Sequence, residues 1–399
     1  MSVDLRSGTF KGFLVLVLLG WTLEGLLQPV IPLLILERGG DAVVVGLVAA
    51  MYAIPSVVLR PFIGRMVDRR GHDLIQRAGA LALGVAPLLF LVPALPAAGV
   101  ARLGQGLGWS FYSTANNVLL AVLAPKERRG EASGYYNTTR ALGLLIGPPV
   151  GLWLFSMDPS FALVAGSVVG VACFIGATRL RVPSKADVGP VVDSVPVGTT
   201  ETLGLWSRVF EPSAVPAMLM IATFMASQTV FLVFGPVYAT AIGADAFELA
   251  LLFVAFGGTL TLAPLVGGRV SDRIGRRAAI LCGSAIATVG LLIAIAPGGM
   301  VTFTIGAAWI AVAIAVATPA IASSTMDSAP AGRLGSALAT YSVGYALASG
   351  AGGALWGLVI ALFGFPWPLV GAIALQAVAA LIAWRFVPAM TRPKTEVQR

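Results

Sequence analysis

Residues 64–73 read GRMVDRRGHD, and residues 268–277 read GRVSDRIGRR. Gly64, Arg65, Asp68, Arg69 and Gly71 match Gly268, Arg269, Asp272, Arg273 and Gly275 at a constant offset. A second echo follows at nearly the same offset, with Pro125, Gly130, Ala132, Tyr136 and Gly147 matching Pro330, Gly335, Ala337, Tyr341 and Gly352. Two independent matches at nearly one spacing make a parallel internal repeat. The repeated phrase is densely charged, and the chain around it is not.

That chain has 399 residues, 57% of them hydrophobic and only 11% charged, with a mean hydropathy of +0.90. One soluble core could not hide so much apolar side chain. Runs of about 18 or more apolar residues can cross a bilayer core of roughly 30 Å, and the chain has about twelve of them. The runs are continuous rather than alternating, and lipid offers the backbone no hydrogen bonds, so they are read as helices. Forty-seven glycines suit close helix packing in lipid. The expected spans are 11–36, 43–67, 75–94, 98–123, 134–155, 161–179, 213–240, 247–270, 278–296, 301–326, 335–362 and 368–387. The first run, from Phe13 to Leu36, is too long for the apolar region of a signal peptide and is read as a membrane helix.

Orientation follows from Lys and Arg, which favour cytoplasmic loops. With the N-terminus inside, only Arg38 of the 26 basic residues falls in an outside loop. Arg60, Arg102 and Arg140 lie within spans, and the other 22 fall on the cytoplasmic side. The formal charge of +8 therefore reads as membrane orientation, and no nucleic-acid partner is expected. The expected setting is a bacterial cytoplasmic (inner) membrane with both termini in the cytoplasm. The expected division is an N-terminal six-helix half over 1–180, a cytoplasmic linker over 181–212, a C-terminal half over 213–390 and a tail over 391–399. The linker contains LGLWSRVFE, Leu203 to Glu211, either a short helix on the membrane face or plain connecting chain.

Cofactor and enzyme chemistry find no footing. There is no phosphate-binding G-x-x-x-x-G-K-[ST] loop, no nucleophile with a base beside it, and a single histidine, His72. Cys173 and Cys282 sit in separate apolar runs and read as buried thiols rather than a disulfide or metal site.

Beside the repeat stand three further motifs: ARLGQGLG at 101–108, GLLIGPPVG at 143–151 and QPVIP at 28–32. Together with the loop phrase G-x-x-x-D-R-x-G-R-R, they resemble the major facilitator superfamily over essentially the whole chain. The second copy matches the loop motif in full. The first departs at His72 and Asp73, where a basic pair is usual. The three further motifs resemble those of the twelve-helix drug:proton antiporters. The resemblance implies an all-α membrane protein of twelve transmembrane helices in two pseudo-symmetric six-helix halves, with a substrate site near the midplane between them. It also implies that Asp68 meets the start of the eleventh span near Leu334 to Ala337, and that Asp272 faces the fifth near Gly130 to Ser133. Gly64, Asp68, Arg69, Gly268, Asp272 and Arg273 would then form a conformational latch, with Arg333 beside the first contact and Glu131 beside the second.

Glu24 is the only acid deep in a span, and the resemblance brings its helix and that of Arg102 to the same cavity. Intramembrane charge faces a cavity or a partner. A desolvated carboxyl can hold a proton and release it when a cation or water approaches. Proton coupling through Glu24 and Arg102 is therefore expected; a fixed ion pair, or direct binding of a cationic substrate, are the alternatives. Trp21, Gln28, Gln105, Trp109, Tyr112, Asn116, Arg140, Gln228, Phe231, Tyr238, Tyr341 and Tyr345 are candidate cavity residues, suited to amphipathic, neutral or cationic compounds. Any of the aromatics could equally be packing, and Arg140 could either bind an anionic group or snorkel to the interface. Gly143, Gly147 and Gly151 form a small-residue strip, with Pro148 and Pro149 expected to kink or loosen their helix. The reading is a monomeric, proton-coupled exporter of small molecules embedded in the lipid bilayer. A proton symporter importing a solute, or a receptor that kept the fold, are the rivals.

Overall fold

The computed structural model describes residues 5, 7–124, 128–180, 211–263, 274–330 and 333–388. Side chains at 60, 61, 64, 65, 67–69, 129, 130, 334, 335 and 339 also lie outside the description. Among the described residues the chain is helical throughout, with no strand. The first six helices are α1 (Gly8–Glu37), α2 (Ala42–Arg70), α3 (His72–Leu89), α4 (Leu95–Leu123), α5 (Arg129–Met157) and α6 (Pro159–Arg179). After a single turn at Pro212–Ala214 come α7 (Val215–Leu232), α8 (Gly235–Ile242), α9 (Ala246–Leu262), α10 (Arg276–Ile295), α11 (Gly299–Ser328), α12 (Leu334–Phe363) and α13 (Pro366–Phe386). α7 and α8 share the seventh span, so the second half also has six spans.

Nine segments among the described residues are long and apolar enough to cross a membrane. α3, α4 and the 17-residue α9 complete the twelve spans. Large apolar side chains such as Trp153, Phe161, Val168 and Leu381 face outward, a surface that lipid covers and water would not tolerate.

Helix ends are written locally. Ser7 caps α1 through Phe10 N at 3.2 Å. Asp158 caps α6 through Ser160 N at 2.7 Å. Asp245 and Glu248 form a reciprocal capping box on α9. The seventh span breaks at Val233 and Phe234, just before Gly235 and Pro236, because proline cannot donate to the preceding turn. α5, in contrast, runs unbroken through Pro148 and Pro149.

The repeat is visible in the backbone. Gly71 before α3 has φ 86°, ψ 155°, and Gly275 before α10 has φ 85°, ψ 157°. This region is open essentially to glycine alone, which gives one physical reason for the glycine in both phrases. Gly268, Asp272 and Arg273 lie outside the described residues. Gly64, Asp68 and Arg69 lie on the backbone of α2, with their side chains outside the description. The 181–210 part of the linker and the 391–399 tail are outside it as well.

Small residues set the closest packing. A methyl added at Gly143, Gly147 or Gly151 would lie 2.7 Å from Trp21 Cβ, 2.6 Å from Thr22 O or 2.2 Å from Leu26 O, so α5 rides directly on α1. Between the halves, Gly46 of α2 meets Gly353 O at 2.4 Å on the same measure, and Gly357 of α12 meets Ala42 O at 2.4 Å. Leu144 and Leu145 of α5 pack on Gly257 of α9. Leu33, Leu152 and Phe155 face Ala239, Thr240 and Leu249 across a cavity of about 180 Å³. These inter-half contacts lie from mid-depth toward the face carrying the short 38–41, 243–245 and 364–365 connections, called here the short-loop face. The opposite end, holding the repeated charged phrases, is the basic face.

One expectation needs correction. Cys282 is exposed, not buried: α10 turns Ala279, Gly283 and Gly290 inward instead. The charges expected beside the latch are already paired. Glu131 takes two 2.8 Å bonds from Arg128, and Arg333 Nη1 lies 2.9 Å from the buried Glu211.

Candidate functional site

A buried polar cluster is assembled by α1, α2 and α4. Gly106 lets α4 approach α2 until an added methyl would sit 2.2 Å from Tyr52 O. That approach brings the Tyr52 ring under Arg102, with the guanidinium carbon 4.6 Å from its centroid. Arg102 Nη1 donates to Gln105 Oε1 at 2.6 Å. Gln105 Nε2 in turn donates to Glu24 Oε1 at 3.3 Å. Tyr52 also turns its hydroxyl to the Glu24 carboxyl. The fixed ion pair between Glu24 and Arg102, one of the alternatives to proton coupling, does not form: Gln105 stands between the two groups. Gln105 is fully buried, and Arg102 Nε is buried with no hydrogen-bond partner.

Next to this cluster, Trp21 and Trp109 meet edge to face, centroids 4.5 Å apart at 82°. Arg140 reaches from α5 over the Trp21 ring at 4.7 Å. Glu24, Gln105, Arg102, Tyr52, Trp21, Trp109 and Arg140 thus form one continuous wall of the N-terminal half. Tyr52 was not read from the sequence, since a lone tyrosine in an apolar helix carries no spacing signal.

Other candidates sit elsewhere. Tyr112 is fully buried: its ring covers Gly20 and its hydroxyl donates to Leu16 O at 2.6 Å. Asn116 Oδ1 accepts from Gln76 Nε2 at 2.7 Å inside the α3–α4 contact. Both lie in helix packing away from that wall. Phe231 is fully buried and stacks on Phe303 at 4.7 Å. Tyr238 joins that aromatic group through Phe303 and Phe365 at 4.7 and 4.6 Å. Gln28 and Gln228 are half-buried. Tyr341 and Tyr345 join hydroxyl to hydroxyl at 3.2 Å on α12.

The C-terminal half carries a different knot. Gln376 of α13 donates to Ser227 Oγ at 2.9 Å and to Thr223 O at 3.3 Å. A lone glutamine in an apolar helix was the available signal for it. Glu211 was also missed, because it ends a stretch that reads as linker. It pairs with Arg333 and receives Ser213, while its own N–H donates to Thr340 Oγ1 at 2.8 Å.

The architecture is twelve spans in two pseudo-symmetric halves with a polar cluster at mid-depth. The profile of the family described as Major Facilitator Superfamily matches residues 13–240 and 217–398. The chain belongs to the Major Facilitator Superfamily. Members of this family are membrane transporters rather than enzymes, and with nine segments among the described residues long and apolar enough to cross a membrane the chain is an integral membrane protein of the transporter class. Among relatives within the superfamily, the staphylopine export protein of Staphylococcus aureus is 25% identical over 189 residues, 47% of this chain and 48% of that one. Macrolide efflux protein A of Streptococcus pyogenes is 26% identical over 172 residues, 41% and 42% of the two chains. Multidrug resistance protein 1 of Bacillus subtilis is 25% identical over 201 residues, 49% of each. The matches span about half the length of these relatives or less. Among solved structures, a D-xylose–proton symporter superposes with a TM-score of 0.77 at 15% identity, over 96% of this chain and 99% of the other. A bacterial homologue of the human lysosomal transporter Spinster, inward-facing and unoccupied, gives 0.75 at 14% identity, over 97% and 98%. These structural likenesses show the fold.

Proposed function

We propose that this major facilitator exports small amphipathic organic compounds from a bacterial cytoplasm in exchange for protons. The observation that carries the reading is Glu24, a carboxyl deep in α1 held by neutral partners, Gln105 and Tyr52, with Arg102 one side chain away. A carboxyl so placed can exist with or without its proton, and neither form lacks a hydrogen-bond partner. The export direction draws on the efflux proteins among its relatives. The basic face is the cytoplasmic one by the distribution of Lys and Arg, so the closed short-loop ends correspond to a carrier open toward the cytoplasm. In this reading the two charged turns stay inside, and Asp68 latches the halves together when the cytoplasmic side closes.

The test is transport in proteoliposomes with an imposed pH gradient, using ethidium and a panel of uncharged and anionic dyes. Efflux driven by inward proton flow, lost in Glu24→Gln, supports the proposal. Proton-driven movement with the substrate travelling alongside the proton would replace it with symport.

A further inference from the structure

Three charged side chains described in the structure lie deep among the spans of the N-terminal half: Glu24, Arg102 and Arg140. Glu24 is engaged by Gln105, Tyr52 and, through Gln105, Arg102. Among the described residues, that leaves Arg140 with no carboxylate. Its recorded neighbour is the face of Trp21 at 4.7 Å, and Tyr136 lies within electrostatic reach. A ring face offsets part of a guanidinium charge, by about 0.5–2 kcal/mol, and takes up none of its N–H donors. An arginine at mid-membrane ordinarily has a counter-charge or marks a substrate path.

The position argues against simple snorkelling. Arg140 lies eleven residues into α5, and the Trp21 ring it covers lies about 20 Å along α1 from the basic face at 1.5 Å per residue. The guanidinium lies over that ring, 4.7 Å from its centroid. It also lies on the inter-half side of α5. Arg140 is one turn before Leu144, and Leu144 and Leu145 are where α5 meets Gly257 of the other half. On the neighbouring flank, Gly143 and Gly147 fit α5 against Trp21 and Thr22. Arg140 therefore stands just below the closure between the halves, beside a perpendicular pair of indoles.

We propose that Arg140 is the substrate-recognition residue for an anionic group, and that the transported compounds are aromatic amphipaths bearing a carboxylate or similar anion. The anion takes the fork of Arg140, which matches a carboxylate with two parallel hydrogen bonds, and the apolar ring packs against Trp21 and Trp109. The inference rests on the transport reading and sharpens it. It departs from the neutral or cationic substrates expected from the sequence, because no acid among the described residues cancels the second deep arginine.

The experiment uses the purified full chain in nanodiscs and three probes that differ only in charge: 1-pyrenebutyrate, 1-pyrenebutanol and 1-pyrenebutylamine. Binding is read by energy transfer from tryptophan to pyrene. The anion should bind at least tenfold tighter than the amine. Arg140→Gln should abolish that preference with little change for the alcohol, and Arg140→Lys should restore part of it, showing that the loss is not one of folding. Equal affinities in the wild type, or a preference that survives Arg140→Gln, would overturn the assignment. The same probes are then followed in proteoliposomes. If none moves under any gradient while the Arg140-dependent preference is intact, the transport reading falls and the anion site stands.

Discussion

Arg102 holds Gln105 one turn along α4, Nη1 to Oε1 at 2.6 Å, and thereby turns the Gln105 amide nitrogen toward Glu24. Arginine has only donors, so the amide oxygen must face it and the NH₂ group must face the carboxyl. Glu24 can accept that bond whether or not it carries a proton. A protonated Glu24 can also donate to the Tyr52 hydroxyl, and an ionised one can accept from it. The arrangement is a rigid cradle that tolerates two protonation states.

Glu24→Gln follows directly. The amide reproduces the protonated shape and keeps an oxygen for Gln105. We expect a folded protein whose gradient-driven accumulation falls at least tenfold while substrate exchange without a gradient persists. Normal uphill transport in the mutant would remove Glu24 from the coupling step.

Gln105→Leu should cost stability as well as function. It leaves Arg102 and Glu24 buried without the side chain that joins them, a loss of about 1–3 kcal/mol. Gln28→Leu is the control, since half-buried Gln28 makes no hydrogen bond to another described side chain. The thermal midpoint in detergent should fall clearly for the first substitution and little for the second; equal shifts would deny Gln105 its bridging role.

Gly71→Ala and Gly275→Ala place a methyl where the backbone has φ near 85°. Each should destabilise by about 1–3 kcal/mol. Gly134→Ala, at an open helical position, should not. Unfolding curves for the three variants decide the point.

Asp68→Asn should shift the carrier toward the form open at the basic face more than Asp272→Asn does. Asp68 follows on α2, the helix whose far end forms the glycine contact with α12. A change of a kcal/mol or two suffices if the two forms are nearly balanced. Distances between spin labels on the basic ends of α2 and α12 report it. Exposed Cys282 must first be replaced so that labels go where intended. Identical distance distributions in wild type and Asp68→Asn would reduce the phrase to an orientation signal.

The fold was legible because its evidence is redundant: apolar runs, a repeated charged turn and one-sided basic residues all encode the same architecture. The wall around Glu24 was legible in part. Helical spacing put Gln105, Trp109, Tyr112 and Asn116 on one stripe, but a stripe on a helix buried among neighbours can face different neighbours along its length. Gly20 receives the Tyr112 ring and Gln76 claims Asn116, and neither partner is near in sequence. Tyr52 and Gln376 lacked any periodic companion. Glu211 was hidden because a buried acid and a linker acid look alike until Arg333 is found beside it.

The contact of α2 with α12 resembles a plain bearing. Gly46, Gly353 and Gly357, with Ala42 and Ala49, bring backbone against backbone, leaving few side-chain ridges to disengage when the halves rock. Friction in such a joint is low, and so is its tolerance of grit. A wedge the size of one methyl group at position 46 would collide with Gly353 O. The transport cycle could thus be jammed from the joint, by a thin molecule that never enters the cavity and need not resemble anything the carrier moves.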